Sequence, residues 1–233
     1  MKQIKHIIFD ADDTLWENNI YYLKAANDFY NLAEKQGVNR SQVEKAFDEL
    51  EIKVVKELGY GSFNFIFILK ELFKQFELSN KLNHKELNFI IDEFNSHKLK
   101  KPKLFEHVAD LMRQLSDKYE LYILTKGDQQ EQESKIIKSG LVQFVVKYFI
   151  LDEKDDAAYA KLLSAENWQS NETCMVGNSP KSDINPALRN NMYAIHIPYK
   201  NTWKVDIEPI INKNGKYKEI NSFKYLKDIF LLD

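Results

Sequence analysis

The sequence contains one cysteine and no long hydrophobic run. A single cysteine cannot form an intramolecular disulfide, and the neighbours of Cys174 indicate a small buried side chain in a reducing compartment. No apolar stretch approaches the roughly 20 residues of a membrane-spanning helix. The apolar run at residues 7–9 is also too short for a signal peptide. We therefore expect a soluble, cytoplasmic protein that does not bind membranes.

The sequence also lacks an excess of either charge, since 33 basic and 35 acidic residues nearly cancel. No overall field would attract nucleic acid, so we expect no nucleic-acid partner. Neither a glycine-rich dinucleotide loop nor a P-loop is present, which argues against nicotinamide or nucleoside triphosphate binding by those devices. The histidines have no metal-ligand spacing and are predicted to be ordinary surface or core residues: His6, His84, His97, His107 and His196.

Short, continuously apolar runs recur along the rest of the chain with helical segments between them. Continuous rather than alternating apolarity is typical of parallel strands covered by helices on both faces. The runs lie at residues 7–9, 121–124, 148–151, 174–176 and 193–195. Helices are predicted at about 105–115, 129–138, 155–165, 180–189 and 222–230, with Gly140 closing the second. The fold class is therefore α/β, a Rossmann-like, doubly wound parallel sheet.

A long insertion without a strand signal separates the first apolar run from the second. Apolar residues in it keep a 3.6-residue period, and glycines interrupt that period where turns would fall. We predict a bundle of about four helices. The expected domains are residues 1–18 with 101–233 as the α/β core, and residues 19–100 as the inserted helical bundle.

Three acidic residues, Asp10, Asp12 and Asp13, crowd the end of the first predicted strand. Neighbouring carboxylates repel one another unless a cation or a proton lies between them. Ligands of open α/β sheets also bind beyond the carboxyl ends of the strands. A solvated acidic turn is the alternative interpretation, but the position favours a functional site.

The segment Asp10-x-Asp12-x-Thr14 resembles the first motif of the haloacid dehalogenase-like hydrolases. Residues similar to the other motifs of that family follow in the expected order, each after a predicted strand: Thr125, Lys154 and residues 177–183. The helical insertion lies where the family has its C1-type cap. The resemblance therefore covers the whole core and implies a phosphatase-type hydrolase.

By this resemblance, Asp10 attacks phosphorus and forms an aspartyl-phosphate, while Asp12 protonates the leaving alcohol and later deprotonates water. Thr125 is implied to bind a phosphoryl oxygen, and Lys154 to offset negative charge. For Lys154 the sequence leaves a second interpretation open, a solvated loop leading into a helix. Dehalogenating members lack an acid at the position of Asp12, so that residue favours phosphoryl transfer over 2-haloacid dehalogenation.

The resemblance also implies a divalent cation, because two aspartates would otherwise repel the phosphoryl group. Mg²⁺ is expected, with oxygen ligands from Asp10, the backbone carbonyl of Asp12, Asn178 and Asp183. Asn178 stands where many relatives have aspartate, and it can coordinate only as a neutral donor. Whether Asn178 or Asp183 binds the metal directly stays open.

The expected partner is a small phosphorylated metabolite, contacted by Thr14, Lys126 and Gly127 at the ends of the first two strands. A phosphomutase shares the aspartyl-phosphate and is the second enzymatic hypothesis. A non-enzymatic binding protein, impaired by Asn178, is the third. The sequence does not identify the substrate or the oligomeric state.

Overall fold

The computed structural model describes residues 4–78, 84–211 and 215–230. Its six strands are β1 (His6–Phe9), β2 (Glu120–Lys126), β3 (Lys147–Leu151), β4 (Thr173–Gly177), β5 (Tyr193–His196) and β6 (Tyr217–Glu219). They form one sheet in the order β3-β2-β1-β4-β5-β6, and every neighbouring pair is parallel. The order reverses at β1, whose neighbours on both sides come from later in the chain. The predicted parallel α/β sheet is confirmed.

Successive residues of the central strands pack into two different hydrophobic clusters. Ile7 and Phe9 of β1 belong to one cluster, whereas Ile8 belongs to the other. The same alternation divides Cys174 from Met175 on β4. Because both faces of the sheet are covered, the strands are apolar without alternation, as the sequence predicted.

The chain divides into two compact units, residues 1–19 with 101–233 and residues 20–100. The described residues of the inserted part form four helices: α1 (Asn19–Lys35), α2 (Arg40–Leu58), α3 (Ser62–Gln75) and α4 (His84–Leu99). Their apolar stripes form a separate core that includes Phe29, Phe47, Phe65 and Leu69. The helical insertion is therefore confirmed as a helical bundle.

Among the described residues of the α/β core, five further helices lie between or after the strands: α5 (Val108–Ser116), α6 (Gln129–Ser139), α7 (Asp156–Ala165), α8 (Asn185–Arg189) and α9 (Leu226–Phe230). Gly140 ends α6 in the left-handed conformation at φ 79°, as predicted for a helix C-cap. None of the described helices combines the length and the apolar composition that crossing a membrane requires.

Three local features differ from the sequence prediction. The predicted helix at 180–189 begins as a π-helical turn, Pro180–Ile184, and continues as α8. The helix predicted at 222–230 begins with a 3-10 turn at Phe223–Tyr225. Strand β6 was not predicted, because its three residues lie at the sheet edge, mostly exposed, and carry no apolar run.

Leu69 of α3 provides a test of the core of the inserted bundle, since its side chain is fully buried. Leu69→Ala is expected to lower the free energy of unfolding by about 3 kcal/mol, because truncation removes apolar contacts and leaves a cavity. Leu58→Ala, at a side chain that is 59% exposed, is the control and should change it by less than about 0.5 kcal/mol. Urea unfolding followed by circular dichroism measures both, and equal losses would contradict the assignment of Leu69 to the core.

Candidate functional site

The acidic segment follows β1 at the carboxyl edge of the sheet, between β2 and β4. Phe9 lies beside Ile123 of β2 and Val176 of β4 in the strand register. The N–H of Asp10 continues the pairing by donating to the Val176 carbonyl oxygen at 2.9 Å. Asp10 is therefore held by the backbone at the point where the strand order reverses, the usual ligand position in open α/β sheets.

Lys154 links the ends of three strands through its ammonium group. Its Nζ donates to Asp10 Oδ1 at 2.6 Å, to the Leu124 carbonyl oxygen at 3.3 Å and to Asp183 Oδ1. The Lys154 residue is only 2% exposed. The alternative of a solvated loop at this position is therefore wrong, because the side chain turns inward and pairs with two buried carboxylates.

The charges of this cluster do not balance when both carboxylates are ionised. Burial raises the pKa of Asp10 to about 7, and the nearby Asp183 carboxylate adds to the rise, while Lys154 opposes it. Burial alone would lower the pKa of Lys154, but Asp10 and Asp183 together hold it well above its usual value. Asp10 Oδ2 is buried and has no hydrogen-bond partner among the described residues. The cluster thus has a surplus of negative charge and an unsatisfied acceptor, which favour a bound cation.

Gly177 gives Asp183 the space to reach this cluster. A Cβ atom at Gly177 would lie 2.2 Å from Asp183 Oδ2 and 2.4 Å from its Cγ. The π-helical turn after β4 contains Asp183, and Ser179 N donates to Asp183 Oδ2 at 2.9 Å. Any side chain larger than hydrogen at position 177 would therefore displace this carboxylate.

Both ends of the Asn178 amide are hydrogen-bonded, the oxygen to Thr14 of the first motif segment and the nitrogen to Thr202. Thr14 Oγ1 donates to Asn178 Oδ1 at 3.1 Å, and Asn178 Nδ2 donates to Thr202 Oγ1 at 3.1 Å. The Thr202 hydroxyl itself donates to the Tyr199 carbonyl oxygen at 2.8 Å. Because that hydroxyl proton is used, Thr202 must accept from Asn178, which orients the Asn178 oxygen toward Thr14.

The Asp12 side chain is held by a separate set of donors. Asp12 Oδ1 accepts from Trp16 Nε1 at 2.6 Å, and Oδ2 accepts from Gln132 Nε2 at 2.9 Å and Lys135 Nζ at 2.5 Å. The sequence prediction did not include Gln132 or Lys135. The only signal for these two residues in the sequence was the helical spacing of polar residues on α6. The same spacing is typical of a solvated helix face.

Asp13 has a local structural role that the sequence prediction also missed. Its backbone has φ 66°, in the left-handed region that aspartate tolerates better than most residues. Its carboxylate accepts from Asn18 N at 2.9 Å and from Asn19 N at 3.0 Å. These bonds satisfy N–H groups where α1 begins. Burial raises the pKa of Asp13 to about 7, against the effect of the bond from Asn18.

The residues predicted at the end of β2 have mixed outcomes. Thr125 is buried near the end of the strand. Lys126 Nζ contacts Ser182 Oγ at 2.8 Å, Asp206 Oδ1 at 3.2 Å and Glu153 Oε1 at 3.3 Å. The N–H of Gly127 donates to the Leu151 carbonyl oxygen at 3.0 Å. That N–H is not available to a phosphate oxygen, and the Lys126 ammonium is already paired with two carboxylates.

The predicted metal ligands converge only in part. Asp10 and Asp183 meet at Lys154, and Asn178 lies in the same loop as Asp183. The carboxylate of Asp12 contacts α6, while the ligand predicted from this residue is its backbone carbonyl. Within residues 4–78, 84–211 and 215–230, no three side chains of His, Cys, Asp or Glu form a group that could hold a metal ion. Two carboxylates with neutral amide and backbone oxygens nevertheless match the donors of Mg²⁺, which keeps several water ligands.

A family model described as haloacid dehalogenase-like hydrolase matches residues 7–197 of the chain. No curated protein matches significantly. A solved haloacid dehalogenase-like family hydrolase from Xanthomonas campestris is 24% identical, with a TM-score of 0.80 over 97% of this chain and 90% of that one.

Two other solved structures differ from each other in their named activities. A 2-haloacid dehalogenase from Pseudomonas syringae is 17% identical, with a TM-score of 0.60 over 98% of both chains. A predicted phosphoglycolate phosphatase from Haemophilus somnus is 16% identical, with a TM-score of 0.60 over 98% of this chain and 99% of that one. At these identities the likeness concerns the fold alone.

The raised pKa of Asp13 predicts how stability depends on pH. The folded state holds the proton up to about pH 7, whereas the unfolded chain releases it near 3.8. The stabilisation from this group is therefore complete below about pH 4 and is lost as the pH rises through about 7. Asp13→Asn keeps an acceptor oxygen without this titration.

The variant and the wild type should therefore be similarly stable at about pH 4, with the variant more stable by roughly 2 kcal/mol at about pH 8. Urea unfolding in the presence of EDTA at both pH values measures the difference. Asp92→Asn, at an exposed residue of α4, is the control and should show no such divergence. A stability difference for Asp13→Asn that does not change with pH would contradict the assignment.

Proposed function

The chain belongs to the haloacid dehalogenase-like hydrolases, and we propose that it is a Mg²⁺-dependent phosphatase that hydrolyses a small phosphomonoester through an aspartyl-phosphate on Asp10. The observation that carries the proposal is the buried Lys154 ammonium between Asp10 and Asp183, beside the unpartnered Asp10 Oδ2. A buried carboxylate with one unpaired oxygen can accept a further partner, such as a cation, and such groups are common at functional sites.

Asp10 acts as the nucleophile in this proposal. A carboxylate oxygen forms a bond to phosphorus while the ester P–O bond breaks, which divides the hydrolysis into two displacements. Lys154 keeps one Asp10 oxygen in place at 2.6 Å and offsets the negative charge that gathers during transfer. The hydroxyl group of Thr125 is the proposed donor to a phosphoryl oxygen, whereas the Thr14 hydroxyl donates to Asn178 Oδ1 and orients that proposed metal ligand.

Asp12 acts as the acid and the base of the two displacements. Its protonated carboxyl gives a proton to the leaving alcohol oxygen, and the resulting carboxylate takes one from the water that attacks the aspartyl-phosphate. Because Asp12 lies two residues after the nucleophile, it can serve a leaving group without taking part in the Lys154 cluster. A halide leaves without a proton, so the acid at this position supports phosphatase rather than dehalogenase chemistry.

Mg²⁺ would be held by Asp10, Asp183, the Asn178 oxygen and the backbone carbonyl of Asp12. The fit rests on the buried, unpartnered Asp10 Oδ2 and on the missing Cβ of Gly177, which allows Asp183 to approach. When bound, the cation neutralises phosphoryl charge that the aspartates would repel. Asn178 keeps the site one charge less acidic than a third aspartate would.

Asp10→Asn tests the nucleophile. The wild type is expected to hydrolyse para-nitrophenyl phosphate with Mg²⁺, and the variant should lose about 1,000-fold or more in kcat, since an amide oxygen is a poor nucleophile. Asp228→Asn, at an exposed residue of α9, is the matched control and should keep full activity. Acid quenching and mass spectrometry should detect phosphate on Asp10 in the wild type.

The assignment would be overturned by a fully active Asp10→Asn variant or by an inactive wild type across a panel of phosphate esters. Release of free phosphate from a simple ester distinguishes the phosphatase from a phosphomutase, which would depend on a bisphosphate activator.

Gly177→Ala tests the cation site without relying on catalysis. A methyl group at this position must move Asp183, so we expect Mg²⁺ affinity to fall by about 10- to 100-fold, as when supporting contacts of metal ligands are lost. Isothermal titration with Mg²⁺ measures the affinity. Cys174→Ala, at another buried residue of β4, is the control and should bind Mg²⁺ as the wild type does. Unchanged affinity in Gly177→Ala would contradict the proposed ligand set.

A further inference from the structure

The carboxylate of Asp12 is surrounded by donors from two separate segments. Trp16, four residues later in the chain, donates to Oδ1, while Gln132 and Lys135 of α6 both donate to Oδ2. The side chains of Asp12 and Lys135 are each 20% exposed. This contact is therefore a largely buried ion pair. It differs from the exposed ion pairs that contribute little to the stability of the fold.

Burial of the Gln132 amide on α6 is energetically unfavourable. Gln132 is buried, and its Nε2 donates both to Asp12 Oδ2 and to the Lys126 carbonyl oxygen at 3.2 Å. Both amide hydrogens are thus used, which fixes the orientation of the amide. Gln132 Oε1 is buried, and within the part of the chain that the structure describes it has no hydrogen-bond partner. An unsatisfied buried acceptor is unfavourable for folding, so this arrangement favours a role for the contact with Asp12.

Lys135 connects Asp12 to a second residue of the turn after the first motif. Besides its 2.5 Å contact with Asp12 Oδ2, its Nζ lies 3.2 Å from Asn18 Oδ1. Lys135 and Gln132 are three residues apart on α6 and therefore share one helix face. Together they determine where one oxygen of the Asp12 carboxyl group stands.

We propose that Lys135, supported by Gln132, is a positioning residue that orients the Asp12 carboxyl group toward the leaving oxygen of the substrate. The proposal rests on the proposed function, in which Asp12 is the acid. During the first displacement, an Asp10 oxygen bonds to phosphorus, the ester P–O bond breaks, and the Asp12 proton moves to the departing oxygen. Lys135 contacts Asp12 and acts through it, so its effect on the first displacement is on the proton transfer.

This role predicts a dependence on the leaving group that a purely structural ion pair would not produce. Phenolate is a strong base and needs a proton as it departs, whereas para-nitrophenolate is a weaker base and needs it much less. The ratio kcat/KM reports only steps up to the first irreversible one, the formation of the aspartyl-phosphate. A misplaced Asp12 should therefore reduce kcat/KM for phenyl phosphate selectively.

Lys135→Met is the first variant to measure, with Mg²⁺ and both aryl phosphates. We expect kcat/KM to fall by about 30-fold for phenyl phosphate and by less than about threefold for para-nitrophenyl phosphate, a partial loss of the roughly 100- to 10,000-fold that general acid–base catalysis contributes. Lys135→Arg keeps a donor and should recover part of the loss. Lys161→Met, at an exposed residue of α7, should behave as the wild type with both esters.

Gln132→Met is the second variant and keeps the test valid if Lys135→Met does not fold. It removes the other donor to Asp12 Oδ2 and the bond to the Lys126 carbonyl oxygen, but also the unpartnered Oε1, so the net change in stability should be small. The same selective loss is expected. Equal losses for the two esters in both variants, or no loss, would overturn the positioning role while leaving the phosphatase intact. A wild type that hydrolyses neither ester would instead overturn the proposed function, and this inference with it.

Discussion

The ion cluster of Lys154 with Asp10 and Asp183 is the interaction on which the site depends. Its three members follow β1, β3 and β4, and the ammonium also reaches the Leu124 carbonyl oxygen on β2. Removing the Lys154 ammonium group would leave two buried carboxylates facing each other, and the protein interior screens their repulsion poorly. The cluster therefore needs its lysine for stability, yet its surplus negative charge and the unpartnered Asp10 Oδ2 still favour a further cation.

The backbone supplies the space and the direction that this cluster requires. Gly177 has no Cβ, so Asp183 can approach the end of β4, and the π-helical turn holds it there through Ser179 N. A residue at φ 66°, Asp13, turns the chain away from β1 toward α1. The glycine at position 177 and the left-handed backbone at Asp13 both lie within a few residues of the carboxylates that they position. Ligand sites of open α/β sheets commonly lie at such strand ends.

Three aspartates within four residues have three different environments. Asp10 faces Lys154, Asp12 faces Lys135 on α6, and Asp13 accepts backbone N–H groups at the start of α1. The division separates the proposed nucleophile from the proposed acid, although they are close in the chain. Each carboxylate also has its own donors, which at Asp10 and Asp13 oppose the rise in pKa that burial causes.

The sequence by itself determined the elements that depend on local patterns. Continuous apolarity predicted β1 to β5, and periodic apolarity predicted the helical insertion. Both predictions were possible because an element buried on one or both faces has a characteristic pattern of apolar residues close together in the sequence. The order of motif residues also identified Asp10, Lys154 and Asp183. Only the tertiary structure decided that Lys154 is buried, that Lys135 contacts Asp12, and that β6 joins the sheet. These depend on strand register and on contacts between residues more than 100 positions apart, which no local pattern encodes.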